Sequence, residues 1–345
     1  MKDAATMGDA VPDRQPDRPA HGGDLDAFRT APGAYAGDWI DLSTGINPFS
    51  YPLPELPPDA WARLPDRAAM QALLLAAREA YGCPAEAGIV ATPGTQAAIQ
   101  WLPRLFAPAR VTVLGPTYAE HAHVWRSCGH TATVLDALPA SLRDIDVLVA
   151  VNPNNPDGRA LGPELLRRWH AELNSRGGWL ILDEAFADVV PEVSMAADAG
   201  RPGLVILRSF GKFFGLAGVR LGFVLGDSTV TAALEQALGP WAVSGPAMMI
   251  GTAALQDTAW QESMRQELRA RMRRFDQAMR DRGIHVLGGT ALFRLAKADA
   301  AALAARLREQ GVHTRIFDYN PAWVRFGLPA DEAEFWRRFD AATGS

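Results

Sequence analysis

Cysteine is scarce in this chain of 345 residues, with Cys83 and Cys128 as its only two. Neither lies in a C-x-x-C pair or at a cysteine–histidine spacing, which argues against a disulfide framework and a structural zinc site. His121 and His123 are two residues apart, so they do not share one face of a helix, and the other histidines are scattered. The sequence therefore predicts no metal site, and its cysteine usage fits a reducing cytoplasm.

Long apolar runs and an excess of positive charge are also missing. No run reaches the roughly 18 apolar residues that span a bilayer, and residues 1–20 contain Asp and Pro where a secretory signal would have an apolar core. The formal net charge of -5 gives no electrostatic reason to expect nucleic acid or a membrane as partner. We expect a cytoplasmic protein with a small-molecule partner and a disordered tail over residues 1–20.

The chain contains alternating short apolar runs and amphipathic stretches, with 48% hydrophobic residues overall. Alternation of this kind predicts an α/β fold whose mainly parallel sheet is covered by helices on both faces. The predicted strands are 111–114, 131–135, 147–151, 179–182, 204–207 and 221–225. The predicted helices are 66–81, 95–106, 117–128 and 163–175.

The pattern changes near residue 245, which predicts a second, smaller α+β domain. We divide the chain into an N-terminal arm (21–47), a large domain (48–245) and a small domain (246–345), with a hinge near Gly239–Gly245. In the small domain we expect a long helical region over 247–282, a strand at 291–295, a helix at 297–310, and strands at 313–317 and 323–326. Ligands of parallel sheets bind at the carboxyl ends of the strands, so the large domain is expected to carry the site.

The segment from Ser209 to Arg220 is the most informative, because it sets one lysine, Lys212, among glycines and phenylalanines. A lysine attacks a carbonyl only as the neutral amine, and burial or a cationic neighbour must lower its pKa for that form to be common. Phe210, Phe213 and Phe214 could supply the apolar surroundings. Arg220 could hold an anion.

Three further segments place complementary groups at predicted strand ends. The turn Thr92-Pro-Gly94-Thr95-Gln96 opens a helix, where free backbone N–H groups favour a phosphate. The rigid turn Asn152-Pro-Asn-Asn155-Pro-Asp-Gly158 can aim an asparagine amide at a ligand. Asp183 ends a buried strand, where a carboxylate needs a cationic or hydrogen-bonding partner.

A lysine for an aldehyde, a carboxylate for a protonated ring nitrogen, an asparagine amide and phosphate donors together describe a site for pyridoxal phosphate. The motifs NPxNPxG, DEAF and SxxKxxGLAGxRxG occur in this order. Together they resemble the fold type I, or aspartate-aminotransferase-like, family of pyridoxal phosphate enzymes from about residue 20 onward. The resemblance implies a seven-stranded, mainly parallel sheet and a homodimer.

The resemblance also implies roles for individual residues. Lys212 would bond the cofactor aldehyde, Asp183 would pair with the ring nitrogen, and Asn155 would bond the ring oxygen. An aromatic ring, here Tyr118, would stack on the cofactor, and Arg325 would clamp the substrate carboxylate. The cofactor phosphate would be held by Gly94, Thr95, Gln96, Ser209 and Arg220. The remaining substrate contacts would be made by His21, Asn47 and Arg315.

Within the family, His21-Gly22-Gly23 followed by Asp41–Pro48 resembles the amino-terminal signature of the threonine-phosphate decarboxylases of cobalamin biosynthesis. The segment Gly288–Arg294 and the phenylalanine of DEAF are similar to that group as well. This resemblance implies L-threonine O-3-phosphate as substrate and 1-amino-2-propanol O-2-phosphate as product. Histidinol-phosphate aminotransferase is the alternative, because the same catalytic residues serve both reactions.

Two positions depart from the wider family. Phe186 stands where most relatives have a tyrosine that bonds the ring oxygen, so Asn155 would have to act alone. Leu64 stands where many relatives have a tyrosine that reaches the neighbouring subunit's cofactor, so that contact is excluded while the homodimer is still expected. A non-catalytic, regulatory pyridoxal phosphate protein is a further alternative, although residues 1–20 are too short and acidic for a helix-turn-helix.

Overall fold

A computed structural model describes residues 22–30 and 34–344. His21 and the predicted tail over 1–20 lie outside the described residues. Within them, no helix combines the length and apolar character that crossing a membrane requires.

The centre of the fold is a seven-stranded sheet, which confirms the predicted fold class. Its strands in spatial order are β2 (Gly88–Thr92), β8 (Gly222–Gly226), β7 (Leu204–Ser209), β6 (Trp179–Asp183), β5 (Val147–Val151), β3 (Arg110–Leu114) and β4 (Thr131–Leu135). Only β8 runs antiparallel to its neighbours. The carboxyl ends of β2, β3, β5, β6 and β7 therefore share one edge of the sheet.

Both faces of this sheet are covered by helices because its strands are apolar on both sides. In β5, Val147 and Val149 pack into one hydrophobic core and Leu148 and Ala150 into the other. One face carries α4 (Thr95–Trp101), α5 (Glu120–Ser127) and α8 (Ser228–Leu238). The other carries α3 (Arg67–Ala80), α6 (Pro163–Asn174) and α9 (Gly245–Gln256).

The C-terminal part of the chain forms a four-stranded antiparallel sheet with helices beside it. Its strand order is β12 (Arg315–Phe317), β13 (Asn320–Gly327), β10 (Phe293–Lys297) and β9 (His285–Thr290). The helices of this part are α10 (Thr258–Asp281), α11 (Ala300–Glu309) and α12 (Glu332–Thr343).

The N-terminal part contains two short helices, α1 (Asp26–Arg29) and α2 (Asp59–Ala62), and a two-residue strand, β1 (Ile40–Asp41). β1 pairs in parallel with β11 (Val312–His313) of the C-terminal part. Further on, Asn47 N and Tyr51 N donate to the carbonyl oxygens of Lys212 and Phe214. The arm therefore runs from the C-terminal part of the chain to the large sheet.

The predicted helical region over 247–282 is two helices rather than one. Asp257 interrupts it, with backbone angles φ -84° and ψ 74°, and its carboxylate accepts a hydrogen bond from Trp260 N at the start of α10. An aspartate that caps a helix in this way favours a new start over continuation. The predicted helix over 95–106 likewise ends at Trp101 and continues as a 3-10 turn over Leu102–Leu105.

Candidate active site

A cavity of about 250 Å³ lies at the carboxyl edge of the seven-stranded sheet, between that sheet and the hairpin β12–β13. Eleven of the predicted site residues line it: Gly94, Thr95, Gln96, Tyr118, Asn155, Asp183, Ser209, Lys212, Arg220, Arg315 and Arg325. Residues that are far apart in sequence meet here because each follows a strand or lies on the hairpin. Asn47 is the one described exception.

Asn47 is buried outside the cavity. Its Nδ2 donates to Phe213 O at 2.8 Å, and its Oδ1 accepts from Phe49 N at 2.9 Å. Through these bonds, the Asn47 amide holds the arm against the segment that carries Lys212. Asn47 does not line the cavity, and its direct contact with the substrate stays a prediction.

Lys212 lies on a four-residue helix, α7 (Phe210–Phe213), directly after β7. Burial, followed by the positive charge of Arg325, lowers the pKa of its ammonium group to about 8, against a raising effect of Asp183. The pKa shift has the direction that a nucleophilic amine requires. The aromatic ring beside the amine is Phe186, whose centroid is 5.9 Å from Lys212 Nζ.

The phenylalanines next to Lys212 in sequence do not surround its amine, although the sequence suggested that they would. Phe210 and Phe214 stack at 4.5 Å, and Phe213 and Phe214 pack on Trp260 of α10. None of the three lines the cavity. They pack the lysine segment against α10, while Phe186 provides the ring beside the amine.

Asp183 is buried at the end of β6 and is held by two neighbours. Its Oδ2 is 2.8 Å from His121 Nε2, and its Oδ1 accepts from Ala185 N at 3.0 Å. His121, on α5, is itself 2% exposed. From the sequence, His121 was a candidate only for a metal ligand. Its contact with Asp183 could not be predicted from spacing, because the two residues are 62 positions apart.

Asn155 and Arg325 both line the cavity and contact each other. Arg325 Nη1 donates to Asn155 Oδ1, and Arg325 Nη2 donates to Ser43 O at 2.5 Å. Burial, then the charge of Arg315, lowers the pKa of Arg325 to about 10. Within the described residues, the buried Nε of Arg325 has no hydrogen-bond partner.

The turn before α4 approaches Arg220 closely. Gly94 has φ +77°, and a Cβ at this position would lie 2.5 Å from Arg220 Nη2. Only glycine both adopts this conformation easily and leaves that space open. Thr95 and Gln96 begin α4, where backbone N–H groups have no partner inside the helix, so the turn, Arg220 and Ser209 surround a pocket suited to a phosphate.

The side chain of Gln96 is already engaged. Tyr118 Oη donates to Gln96 Oε1 at 3.1 Å, and Gln96 Nε2 donates to Glu120 Oε2 at 2.8 Å. These bonds orient the Tyr118 ring in the cavity, edge-on to His121 at 6.1 Å. Gln96 can therefore contribute its backbone N–H to an anion rather than its amide.

Arg315 lies on β12 directly opposite Arg325 on β13. Both line the cavity, together with Phe317 and Tyr319 of the same hairpin. Directly opposite residues of an antiparallel pair project from one face, which explains how two guanidinium groups reach the same space. The described residues hold no cluster of side chains that could bind a metal ion.

Comparison with protein families matches residues 38–335 to the family "Aminotransferase class I and II". Among curated proteins, a threonine-phosphate decarboxylase of Pseudomonas aeruginosa is 47% identical over 93% of this chain and 96% of its own length. A threonine-phosphate decarboxylase of a Sinorhizobium species is 43% identical over the same shares. A histidinol-phosphate aminotransferase of Cronobacter sakazakii is 30% identical over 86% of this chain and 79% of its own.

Solved structures show the same fold. The L-threonine-O-3-phosphate decarboxylase of Porphyromonas gingivalis has a TM-score of 0.73 at 21% identity and covers 88% of this chain and 98% of its own. The histidinol-phosphate aminotransferase of Clostridium acetobutylicum has a TM-score of 0.77 at 22% identity, with the same coverage. At these identities the likeness concerns the fold alone and does not separate the two reactions.

Proposed function

The chain belongs to the aminotransferase class I and II family, and we propose that it decarboxylates L-threonine O-3-phosphate to (R)-1-amino-2-propanol O-2-phosphate with pyridoxal phosphate, a step of cobalamin biosynthesis. The observation that carries this choice is the 47% identity to a threonine-phosphate decarboxylase over almost the full length of both chains. Histidinol-phosphate aminotransferases match at about 30%. The cavity fits a substrate with two anionic groups because it contains both Arg315 and Arg325.

The donor set fits pyridoxal phosphate. Lys212 would hold its aldehyde carbon, and Asp183, fixed by His121, would hold its ring nitrogen. Asn155 would donate a hydrogen bond to the ring oxygen, and Tyr118 would stack on the ring. The phosphate would be held by Gly94, Thr95, Gln96, Ser209 and Arg220. The space that Gly94 leaves beside Arg220 supports this assignment, because any side chain there would fill it.

When bound, pyridoxal phosphate supplies the electron sink for bond cleavage at the substrate Cα. The protein decides which bond is cleaved by fixing the substrate's orientation. We assign the carboxylate to Arg325 and the substrate phosphate to Arg315, because both residues line the cavity. His21, outside the described residues, remains part of the proposed phosphate contact.

Proton delivery completes the reaction. As carbon dioxide leaves, the electrons of the broken bond remain at Cα, which then takes up a proton. Lys212 is the proposed donor, because its amine faces the cavity and its pKa of about 8 lets it exchange a proton near neutral pH.

The test uses two substrates in parallel. Purified protein loaded with pyridoxal phosphate is incubated with L-threonine O-3-phosphate, and separately with histidinol phosphate plus 2-oxoglutarate. Carbon dioxide release from the first alone supports the decarboxylase. Glutamate formation from the second would overturn it in favour of the aminotransferase.

We also propose a homodimer. Leu53, Trp61 and Leu64, in the segment before α3, are 63%, 70% and 66% exposed. Large apolar side chains exposed together are typical of a surface that another chain covers. Sedimentation equilibrium of the full chain tests this, and a mass of one chain at micromolar concentration would contradict it.

A further inference from the structure

The four-stranded sheet holds one row of directly opposite residues that links the cavity to a distant contact. The pairs are Arg315 with Arg325, Arg325 with Leu295, and Leu295 with Gly288, so the row crosses all four strands. Directly opposite residues project from the same face of a sheet. Gly288 and Arg325 are thus on one face, two strands or about 10 Å apart.

At its Gly288 end, the row rests against the loop that carries Asn155. A Cβ at Gly288 would lie 2.2 Å from Asp157 O, and a Cβ at Gly158 would lie 2.1 Å from Gly289 O. Ordinary Cβ contacts begin at 3.4 Å. The two backbones therefore touch because neither side has a side chain at the point of contact.

Two strands away from Gly288, the same row contacts the same loop again, this time through side chains. Arg325 Nη1 donates to Asn155 Oδ1, and Asn155 lies two residues before Asp157. The loop is fixed from the opposite side as well, since Asn154 Nδ2 donates to Pro116 O at 2.9 Å and Thr117 Oγ1 donates to Asn154 Oδ1 at 2.6 Å. The loop is therefore held in place. The absence of a side chain at Gly288 determines how closely the sheet approaches this loop.

We propose that Gly288 is a positioning residue that determines reaction specificity: its missing side chain sets the depth at which Arg325 holds the substrate carboxylate. The proposal rests on the proposed function, in which Arg325 binds that carboxylate. A methyl group at Gly288 is more than 1 Å short of ordinary contact distance, so the row must move away from the Asn155 loop. Arg325 moves with it, and the bond from Cα to the carboxylate leaves its reactive orientation.

The test is Gly288→Ala, assayed with L-threonine O-3-phosphate in heavy water. Two rates are measured on one sample: carbon dioxide release, and deuterium incorporation at Cα of the recovered substrate. We expect kcat/KM for decarboxylation to fall by up to about 10²-fold, the known cost of a misplacement near 1 Å. We also expect the ratio of deuterium exchange to carbon dioxide release to rise, because the Cα hydrogen takes the place that the carboxylate has left.

The matched control is Gly88→Ala at the opposite end of β2 from the cavity. A Cβ there would lie 2.0 Å from Thr231 Oγ1 and 2.9 Å from Thr231 Cβ, so this variant also forces a close contact. It touches no residue that lines the cavity. The control should lose thermal stability and keep the wild-type ratio of exchange to decarboxylation.

A second variant covers the case in which Gly288→Ala does not fold. Gly327 lies two residues after Arg325 on β13, and a Cβ there would lie 2.4 Å from Thr44 O. Gly327→Ala should move the same face of the sheet and raise the same ratio.

The outcomes separate the two proposals. A wild-type protein that releases no carbon dioxide from L-threonine O-3-phosphate overturns the proposed function. A wild-type protein that releases it, together with folded Gly288→Ala or Gly327→Ala variants whose kcat/KM and ratio equal those of wild type, overturns the role of Gly288.

Discussion

Two clusters of charged side chains arise from neighbouring positions of the same strands, and they differ in whether their charges are balanced. Asp183 and Ser209, at the ends of β6 and β7, line the cavity. Their chain neighbours Glu184 and Arg208 form a buried ion pair, with Arg208 Nη1 2.8 Å from Glu184 Oε2. Arg208 Nη2 also lies 2.5 Å from Asp188 Oδ1.

In the buried cluster, two carboxylates surround one guanidinium, and Tyr81 places its ring 4.4 Å from Arg208. In the cavity, Lys212, Arg315 and Arg325 meet, while Asp183 is the carboxylate that faces them and already contacts His121. The cationic groups that line the cavity outnumber its carboxylate, which suits an anionic ligand. Adjacent residues of one strand can thus stabilise the fold on one side and line the ligand cavity on the other.

The largest expected effect is on the cavity side. Lys212→Ala should reduce decarboxylation by about 10⁴-fold, because it removes both the proposed cofactor attachment and the proposed proton donor. Its free energy of unfolding without cofactor should stay the same or rise at neutral pH, since burial that lowers the pKa of an ammonium group destabilises its charged form. Carbon dioxide assays and urea unfolding measure the two quantities. Activity above one tenth of wild type would contradict the assignment.

The buried cluster should respond in the opposite way. Arg208→Met leaves Glu184 and Asp188 buried without their partner, which costs about 3 to 5 kcal/mol of unfolding free energy. Urea unfolding at neutral pH measures the loss, with Arg274→Gln on α10 as an exposed arginine control. If both variants lose the same small amount of unfolding free energy, the buried ion-pair cluster does not stabilise the fold.

A smaller effect is expected at Phe186, which lines the cavity beside Lys212. Phe186→Tyr adds a hydroxyl beside Lys212, and a donor to the cofactor's ring oxygen favours its anionic form. The pKa read from the absorption of the bound cofactor should therefore be about 1 unit higher in wild type than in the variant. A spectral titration from pH 5 to 10 measures both. Identical titrations would show that Asn155 alone determines the ionisation.

The smallest effect concerns the charge balance of the cavity. Since the ammonium of Lys212 must lose a proton before it reacts, the rate of cofactor loading should rise with pH and level off above about 8. Arg325→Gln removes a positive charge that lowers this pKa, so its loading midpoint should move to higher pH. Stopped-flow absorbance of the cofactor-free protein reports the rate. A midpoint equal in both proteins would contradict the coupling.

The sequence predicted six strands of the seven-stranded sheet and missed β2, although four of its five residues are buried. β5 and β4 begin and end at the predicted residues, and every residue of β5 is buried. β9 was missed because two glycines and partly exposed residues interrupt its pattern. α8 was missed as well, although Asp227 caps its first turn through the N–H groups of Thr229 and Val230.

For the site, the sequence indicated residue types at strand ends but could not show which side chains pair with each other. The ring beside Lys212 was expected from its own segment and comes from Phe186, 26 positions earlier. The partner of Asp183 is His121, on a different helix. Such pairs depend on how the β-α units pack against each other, and the spacing of residues within one segment does not reveal that packing.

The arm from β1 to Asn47 limits where this protein can be truncated or fused to a tag. Within eight residues it pairs with β11, offers Ser43 O to Arg325 and bonds the lysine helix through Asn47. An expression variant that starts after Asn47 would lose all three attachments at once. Truncations and fusion tags should therefore leave residues from Ile40 onward intact.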